Sequence, residues 1–288
     1  MSQALSDVTG TIAALMVYPV KSCAGVSVQE AVLTEAGLDL DRAWMVVDAT
    51  GGFVSQRELP RMALVRPQLK TFEIILRAPG MLALHLAMDA VEEPVRVRVW
   101  DDEVAAYDMG PVAAQWFTDF LGQPLRLVRF DPEHRRLSSL QWTGGVEAPN
   151  QFSDGFPLLV TSEASLADLN TRLAAAGHAA VEMPRFRPNL VLGGVAAHDE
   201  DRLDLLRIAT AEGVAELKPV KPCARCPIPN IDPVTAESSP AVGDTLQGYR
   251  QDARLDGAVT FGMNAIVLQG DGQVLRVGQV VHADFRFD

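Results

Sequence analysis

Hydrophobic and polar positions alternate over short stretches in the first third of the chain, and that spacing predicts β-strands. β-Branched and large apolar residues dominate or alternate at residues 11–18, 26–33, 42–48, 72–76, 82–87 and 95–99, with Gly, Pro and Asp between the runs. The segment RVRVW at 96–100 alternates strictly, as a half-buried strand does. A curled sheet or β-barrel is expected from this half. From 111 to 122 the period changes: Val112, Ala113, Trp116, Phe117, Phe120 and Leu121 share one helical face, with Pro111 near the start and Gly122 at the end. A polar stretch containing Gly and Pro fills residues 131–151, where a domain boundary is expected. Beyond it, residues 157–160 read as a buried strand, Thr161 or Ser162 as a helix N-cap, Leu166, Leu169 and Leu173 as a core stripe, and Gly177 as the stop. Strands are expected again at 190–192, 206–209, 215–219, 265–268 and 274–281. The predicted class is mainly β with α (α+β), organised as a flexible tail (1–10), an N-terminal β-barrel domain (11–130) and a second domain (131–288).

Composition narrows the function classes. The 288 residues are 48% hydrophobic and 22% charged, ordinary globular usage that leaves ample material for a core. With 25 Lys and Arg against 37 Asp and Glu, the net charge is −12, and a chain of pI about 4.9 lacks the general cationic surface that a nucleic acid binder needs. The first apolar run, 12–17, is a strand's length, and no run approaches the roughly 18 apolar residues of a membrane span. Three cysteines, Cys23, Cys223 and Cys226, are too few and odd in number for a disulfide scaffold. A soluble cytoplasmic protein is expected.

Within this acidic chain, one segment concentrates cations and thiols. KPVKPCARCPIPNIDP at 218–233 places Cys223 and Cys226 three apart, beside Lys218, Lys221 and Arg225. Local cations favour the thiolate, the form that attacks and binds metals. A structural zinc site wants four ligands, and the remaining Cys23 and five scattered histidines form no second pair at ligand spacing. A thioredoxin-like dithiol would open a helix, which Pro227 and Pro229 oppose. One buried cysteine in a tight loop is the bland reading. Other polar groups stand at element ends: Lys21 and Ser22 in YPVKSC, Arg42 after Asp41, Arg57 in SQR, Thr161 and Ser162 at a helix N-terminus, and Arg187 and Asn189 in FRPN. Each has an ordinary explanation as solvated surface, ion pair or cap. Together they comprise what a phosphorylated, heteroaromatic metal cofactor requires: guanidinium forks and hydroxyls for phosphate, amides for ring nitrogens, and a soft thiolate for the metal.

The ordered motifs YPVKSC (18–23), LDLDRAW (38–44), SEASLADLN (162–170), FRPN (186–189), KPCARC (221–226) and FGMN (261–264) resemble those of MOSC-domain proteins, in particular the group of amidoxime-reducing components and YcbX-like proteins. The resemblance spans residues 11–281. It implies an N-terminal MOSC β-barrel domain followed by a MOSC β-barrel domain with peripheral helices, and a molybdenum cofactor (Mo-molybdopterin) between them. It assigns Cys226 as metal ligand and catalytic residue, and Lys21, Ser22, Arg42, Thr161, Ser162, Arg187, Asn189 and Arg225 as cofactor contacts, with Cys223 in support. Ala224 departs from the serine that many relatives carry, which removes a side-chain contact and leaves a backbone one. The implied activity is reduction of N-hydroxylated small molecules such as amidoximes, hydroxylamines and N-hydroxylated bases. A molybdenum cofactor carrier and a persulfide carrier at Cys226 are the alternatives. Three cysteines do not make the four-cysteine cluster motif of a fused plant-type ferredoxin. The expected electron donor is therefore a separate ferredoxin, flavin reductase or small haem protein. Lys21, Arg42, Arg187, Lys221 and Arg225 are expected to converge on one basic cleft.

Overall fold

Strands expected from the alternating pattern are present in a computed structural model that describes residues 6–90 and 93–286. Those that matter for the site are β1 (Val8–Val17), β2 (Trp44–Val47), β3 (Pro94–Val99), β4 (Asp102–Asp108), β5 (Arg126–Phe130), β6 (Leu158–Ser162), β7 (Leu190–Gly193), β8 (Leu203–Ala209), β9 (Val214–Ala224), β10 (Ala258–Gln269) and β11 (Val280–Phe285). Two helices accompany them, α1 (Gly110–Leu121) and α2 (Glu163–Ala175).

Seven strands close on themselves in the order β6-β7-β1-β11-β8-β9-β10 and back to β6, with the β6–β7 pair parallel and the other pairs antiparallel. Closure removes the exposed sheet edge. Alternate residues from every strand fill the interior: Ile12 and Leu15, Leu158 and Val160, Leu190 and Leu192, Leu206 and Ile208, Ala215 and Leu217, Ala265, Val281 and Ala283. The period of two read from the sequence is thus the inward face of a barrel. One stave comes from the start of the chain, whereas the other six follow residue 157. The tail expected over 1–10 is shorter than that: Thr9 and Gly10 pair with His282 and Val281 in the ladder, and residues 1–5 lie outside the described residues.

Between β1 and β6 the chain builds an antiparallel sheet in the order β2-β5-β4-β3 and a meander of Arg66–Leu69, Glu73–Arg77 and Leu84–Ala87. Residues of β2 alternate between two cores: Trp44 and Val46 join the meander and α1, and Met45 and Val47 pack with β3, β4 and β5. The expected helix over 111–122 is α1, ended by Gly122 in the left-handed region at φ 79°. β4 and β5 had no counterpart in the pattern reading. Among the described residues, no helix is long and apolar enough to cross a membrane.

The N-terminus of α2 carries a buried carboxylate. Ser162 is the N-cap, its hydroxyl accepting from the Ser165 N–H at 3.1 Å. Glu200, fully enclosed, accepts from the hydroxyls of Ser162 (2.9 Å) and Ser165 (2.6 Å). Burial pushes the Glu200 carboxyl above its ordinary value, and the nearby Asp201 charge acts in the same direction. A carboxyl raised in the folded state contributes stability below its unfolded pKa that is lost as pH rises through the folded one. Glu200→Gln is expected to gain melting temperature relative to the parent as pH goes from 5 to 8, a few degrees at most. Thermal unfolding of both proteins across that range checks it; a difference that shrinks with pH contradicts it.

Candidate functional site

The ends of β1, β6 and β9 and the loops beside them enclose a cleft of about 790 Å³, its open mouth included. Lys21, Ser22, Arg42, Arg187, Asn189, Arg225 and Cys226 all line it, so seven of the nine positions expected from the motifs come together. Thr161 and Ser162 do not line it. Both are fully buried: the Thr161 hydroxyl donates to Met183 Sδ at 3.3 Å, and Ser162 is committed to capping α2. Lys221 also stands outside the lining, 5.2 Å from the Trp142 ring and 5.9 Å from that of Phe156, which does line the cleft. Regular alternation would put Lys221 on the face of Cys223, two residues on, but the ladder is irregular on both sides of Lys221, between Pro219 and Lys221 and between Pro222 and Ala224.

The lining holds five cations, Lys21, Arg42, Arg57, Arg187 and Arg225, against the single carboxylate of Asp154. The charge is therefore strongly positive in a chain of net charge −12. The backbone that presents these groups is strained. Ser22 (φ 64°), Arg42 (φ 53°) and Arg187 (φ 59°) all adopt the left-handed region, which costs of order 1 kcal/mol or more per non-glycine residue. Such strain persists because hydrogen bonds fix each turn. Arg42 N–H donates to the Tyr18 carbonyl (2.8 Å), Lys21 N–H to that of Trp44 (2.8 Å), and Gln56 Nε2 to that of Ser22 (2.7 Å).

Asn189 ties three of these segments together. Its Oδ1 accepts from Leu159 N–H (3.1 Å) and Arg42 (3.2 Å), and its Nδ2 donates to the Met16 carbonyl (3.2 Å). With both ends of the amide in use, Asn189 acts on the cleft mainly by positioning Arg42. Arg42 is also held by Asp41, and it donates to the Arg187 carbonyl at 3.1 Å. The guanidinium carbons of Arg42 and Arg187 lie 4.5 and 4.3 Å from the centre of the buried Tyr18 ring. Arg187 donates to the Cys23 carbonyl at 2.5 Å. Burial, followed by the Arg42 charge, lowers its pKa to about 10. Burial also lowers that of Lys21, although Asp154 opposes the shift. Lys21 Nζ donates to the Phe152 carbonyl (2.8 Å) and to Asp154 Oδ1 (2.5 Å).

The thiols stand where β9 ends. The strand expected at 215–219 runs on through the prolines as far as Ala224: Pro219 and Pro222 sit at irregularities of the β9–β10 ladder, where a missing N–H costs no regular bond. Arg225 then donates to Cys223 Sγ (3.0 Å) and to the Phe186 carbonyl (2.9 Å), while its buried Nε has no partner among the described residues. Cys226 is half-buried and lines the cleft. Phe186 and Phe261 stack at 4.1 Å, joining the FRPN and FGMN segments, and Asn264 of the latter reaches the lining.

Several lining residues escaped the motif reading. Ser153, Asp154 and Gly155 belong to the stretch that follows the expected boundary. Arg136, also in that stretch, is buried and donates to Asp102 (2.7 Å), Asn150 Oδ1 (2.5 Å), and the carbonyls of Gln151 and Ser153 (both 2.8 Å). One arginine thus folds a polar connection into a cleft wall. Its signal was only an arginine ahead of an NQFSDG run. Among the described residues, no group of three or more His, Cys, Asp or Glu converges as metal ligands.

Comparison with known proteins is consistent with this arrangement. Residues 9–124 match the family described as MOSC N-terminal beta barrel domain, and residues 147–282 match the MOSC domain. The chain is 37% identical over 287 residues to mitochondrial amidoxime-reducing component 1 of Homo sapiens, covering 95% of this chain and 82% of that protein. The Mus musculus counterpart is 36% identical over the same length and coverage. Mitochondrial amidoxime reducing component 2 of Bos taurus is 37% identical over 253 residues, 84% of this chain and 72% of that one.

Proposed function

The chain belongs to the MOSC-domain family, with an N-terminal MOSC domain and a MOSC domain, and on that premise we propose that it is a molybdenum-cofactor-dependent reductase of N-hydroxylated compounds. The supporting observation is the cleft itself: five cations against one carboxylate, and a half-buried thiol at Cys226. Those groups suit a phosphorylated pterin that carries a thiophilic metal. Cys226 is the thiolate ligand. Because no other His, Cys, Asp or Glu cluster among the described residues supplies donors, the remaining ligands come with the cofactor. Arg187, Arg42 and Arg225 take its anionic end, and Lys21 and Ser22 take further polar groups of the cofactor. Thr161 and Ser162, enclosed with engaged hydroxyls, are left out of the proposed contacts.

When bound, the cofactor supplies the two-electron chemistry that removes a nitrogen-bound oxygen as water. The protein fixes the ligand, neutralises the phosphate and shapes the pocket. The overall change is R–C(=NOH)NH2 plus two electrons and two protons to R–C(=NH)NH2 and water. The electrons come from a separate redox protein, a ferredoxin, flavin reductase or small haem protein. Protein made in a host that synthesises the cofactor should contain stoichiometric molybdenum and reduce benzamidoxime with an artificial donor. Molybdenum without turnover would instead indicate a carrier, and labile sulfur without molybdenum a persulfide at Cys226.

A further inference from the structure

At the mouth of the cleft, a tryptophan occupies a place that normally belongs to glycine. β3 and β4 form a hairpin with Val99 opposite Asp102, so Trp100 and Asp101 are its two-residue turn. Trp100 has φ 55°. A two-residue hairpin with its positive φ at the first turn residue ordinarily takes glycine there, and a bulky aromatic residue in that region is a clear outlier. Folding alone gives little reason for the choice, because the Trp100 side chain remains 47% exposed.

Its contacts point to the cleft. The Trp100 ring meets Phe53 edge-on, with centroids 4.9 Å apart at 68°. The Arg57 guanidinium carbon is 4.6 Å from the Trp100 centroid and 5.9 Å from that of Phe53. Trp100 Nε1 donates to Asp154 Oδ1 at 3.3 Å, the same oxygen that accepts from Lys21. Phe53, Arg57 and Asp154 all line the cleft. Strain at the hairpin tip is therefore spent on holding an exposed indole against the rim of the site, an arrangement that marks functional positions.

We propose that Trp100, with Phe53 and Arg57, forms a stacking platform that binds the planar aromatic body of an N-hydroxylated aryl or heteroaryl substrate. This rests on the reductase reading of the same cleft. The phosphorylated cofactor is not the occupant favoured here. The Asp154 carboxylate at the platform is already paired with Lys21, whereas Arg42 and Arg187 gather at the Tyr18 ring and Arg225 at Phe186, and these draw a phosphate there. An aromatic body gains from the indole face and from the arginine beside it, and neither contact serves an aliphatic substrate equally.

The test compares benzamidoxime with acetamidoxime in the molybdenum-loaded protein, using parent, Trp100→Ala, Trp100→Gly and Trp100→Phe. In the alanine and glycine variants, the ratio of kcat/KM for benzamidoxime to that for acetamidoxime should fall on the order of tenfold. The change should reside in KM, and Trp100→Phe should recover part of it. Trp100→Gly should also melt higher than Trp100→Ala, because glycine fits the positive φ. An unchanged ratio in both truncations overturns the platform, as does loss of molybdenum, which would give the surface to the cofactor. If the parent reduces neither compound, the reductase reading fails separately. The platform is then judged by calorimetric binding of benzamidoxime: Trp100-dependent binding upholds it and Trp100-independent binding overturns it.

Discussion

Replacing Cys226 with serine is expected to leave the fold intact and lower benzamidoxime turnover by at least about 100-fold, the loss that altering even outer-shell groups around a metal can cause. Cys226 is half-buried on the connection that follows β9, outside the packed clusters of the barrel, so exchanging sulfur for oxygen falls within the small range of surface substitutions, about 0.5 kcal/mol. A hydroxyl is a poor ligand for a thiophilic metal, and it does not ionise near neutral pH as a thiol can. Molybdenum content should fall with activity. Cys223 supplies the internal control: its sulfur accepts from Arg225 at 3.0 Å, and serine retains an acceptor there. Cys223→Ser should therefore lose much less than Cys226→Ser. Metal analysis, turnover with an artificial donor and thermal unfolding on the two variants check the pair. Equal losses, or full activity in Cys226→Ser, would remove Cys226 from the ligand role.

What could be read from the sequence follows from the range of the forces involved. Local patterns survived well. The apolar run at 190–192 and the alternation at 206–209 report the barrel interior because Leu190, Leu192, Leu206 and Ile208 are buried by strand geometry alone. The ends of α1 and α2 were legible because Gly122 and Ser162 do their work within one turn. The failures involve partners distant in the chain. Nothing local tells that β1 closes a barrel with strands some 180 and 270 residues later, since that pairing depends on register across the whole fold. The strand reaching Ala224 through two prolines was hidden because the tolerance comes from irregular pairing with β10. The site divides in the same way. Arg42, Arg187 and Arg225 were identifiable within distinctive motifs. Asp154 and Trp100 gain their meaning only where the 150–155 stretch, stapled by Arg136, meets a hairpin tip.

Arg187→Met is expected to move apoprotein stability and cofactor retention in opposite directions. The lowered pKa of Arg187, about 10, means that its charge is disfavoured in the folded protein, first by burial and then by the Arg42 charge. Between that value and the ordinary guanidinium value, the unfolded chain binds more protons. Stability contributed by this group therefore rises with pH across that window, and at neutral pH the penalty is present in full. A methionine of similar length removes the penalty, while leaving the Cys23 carbonyl without its 2.5 Å donor. The left-handed φ is common to parent and variant and cancels. Replacing buried charge by apolar volume is often neutral to stabilising, so a net gain of about 1 kcal/mol is expected for the cofactor-free protein. Binding reverses the sign, because a phosphate group turns the crowding of Arg42 and Arg187 from repulsion into shared attraction. Inorganic phosphate should raise the melting temperature of the parent by mass action and that of Arg187→Met much less. Molybdenum retention should drop in the variant. Arg187→Lys should be intermediate, since it keeps the charge and loses the bidentate fork. Melting curves with and without phosphate, beside metal content, decide the matter: a variant less stable without phosphate but equally stabilised by it would make Arg187 a structural arginine, and the anion site would then rest on Arg42 and Arg225.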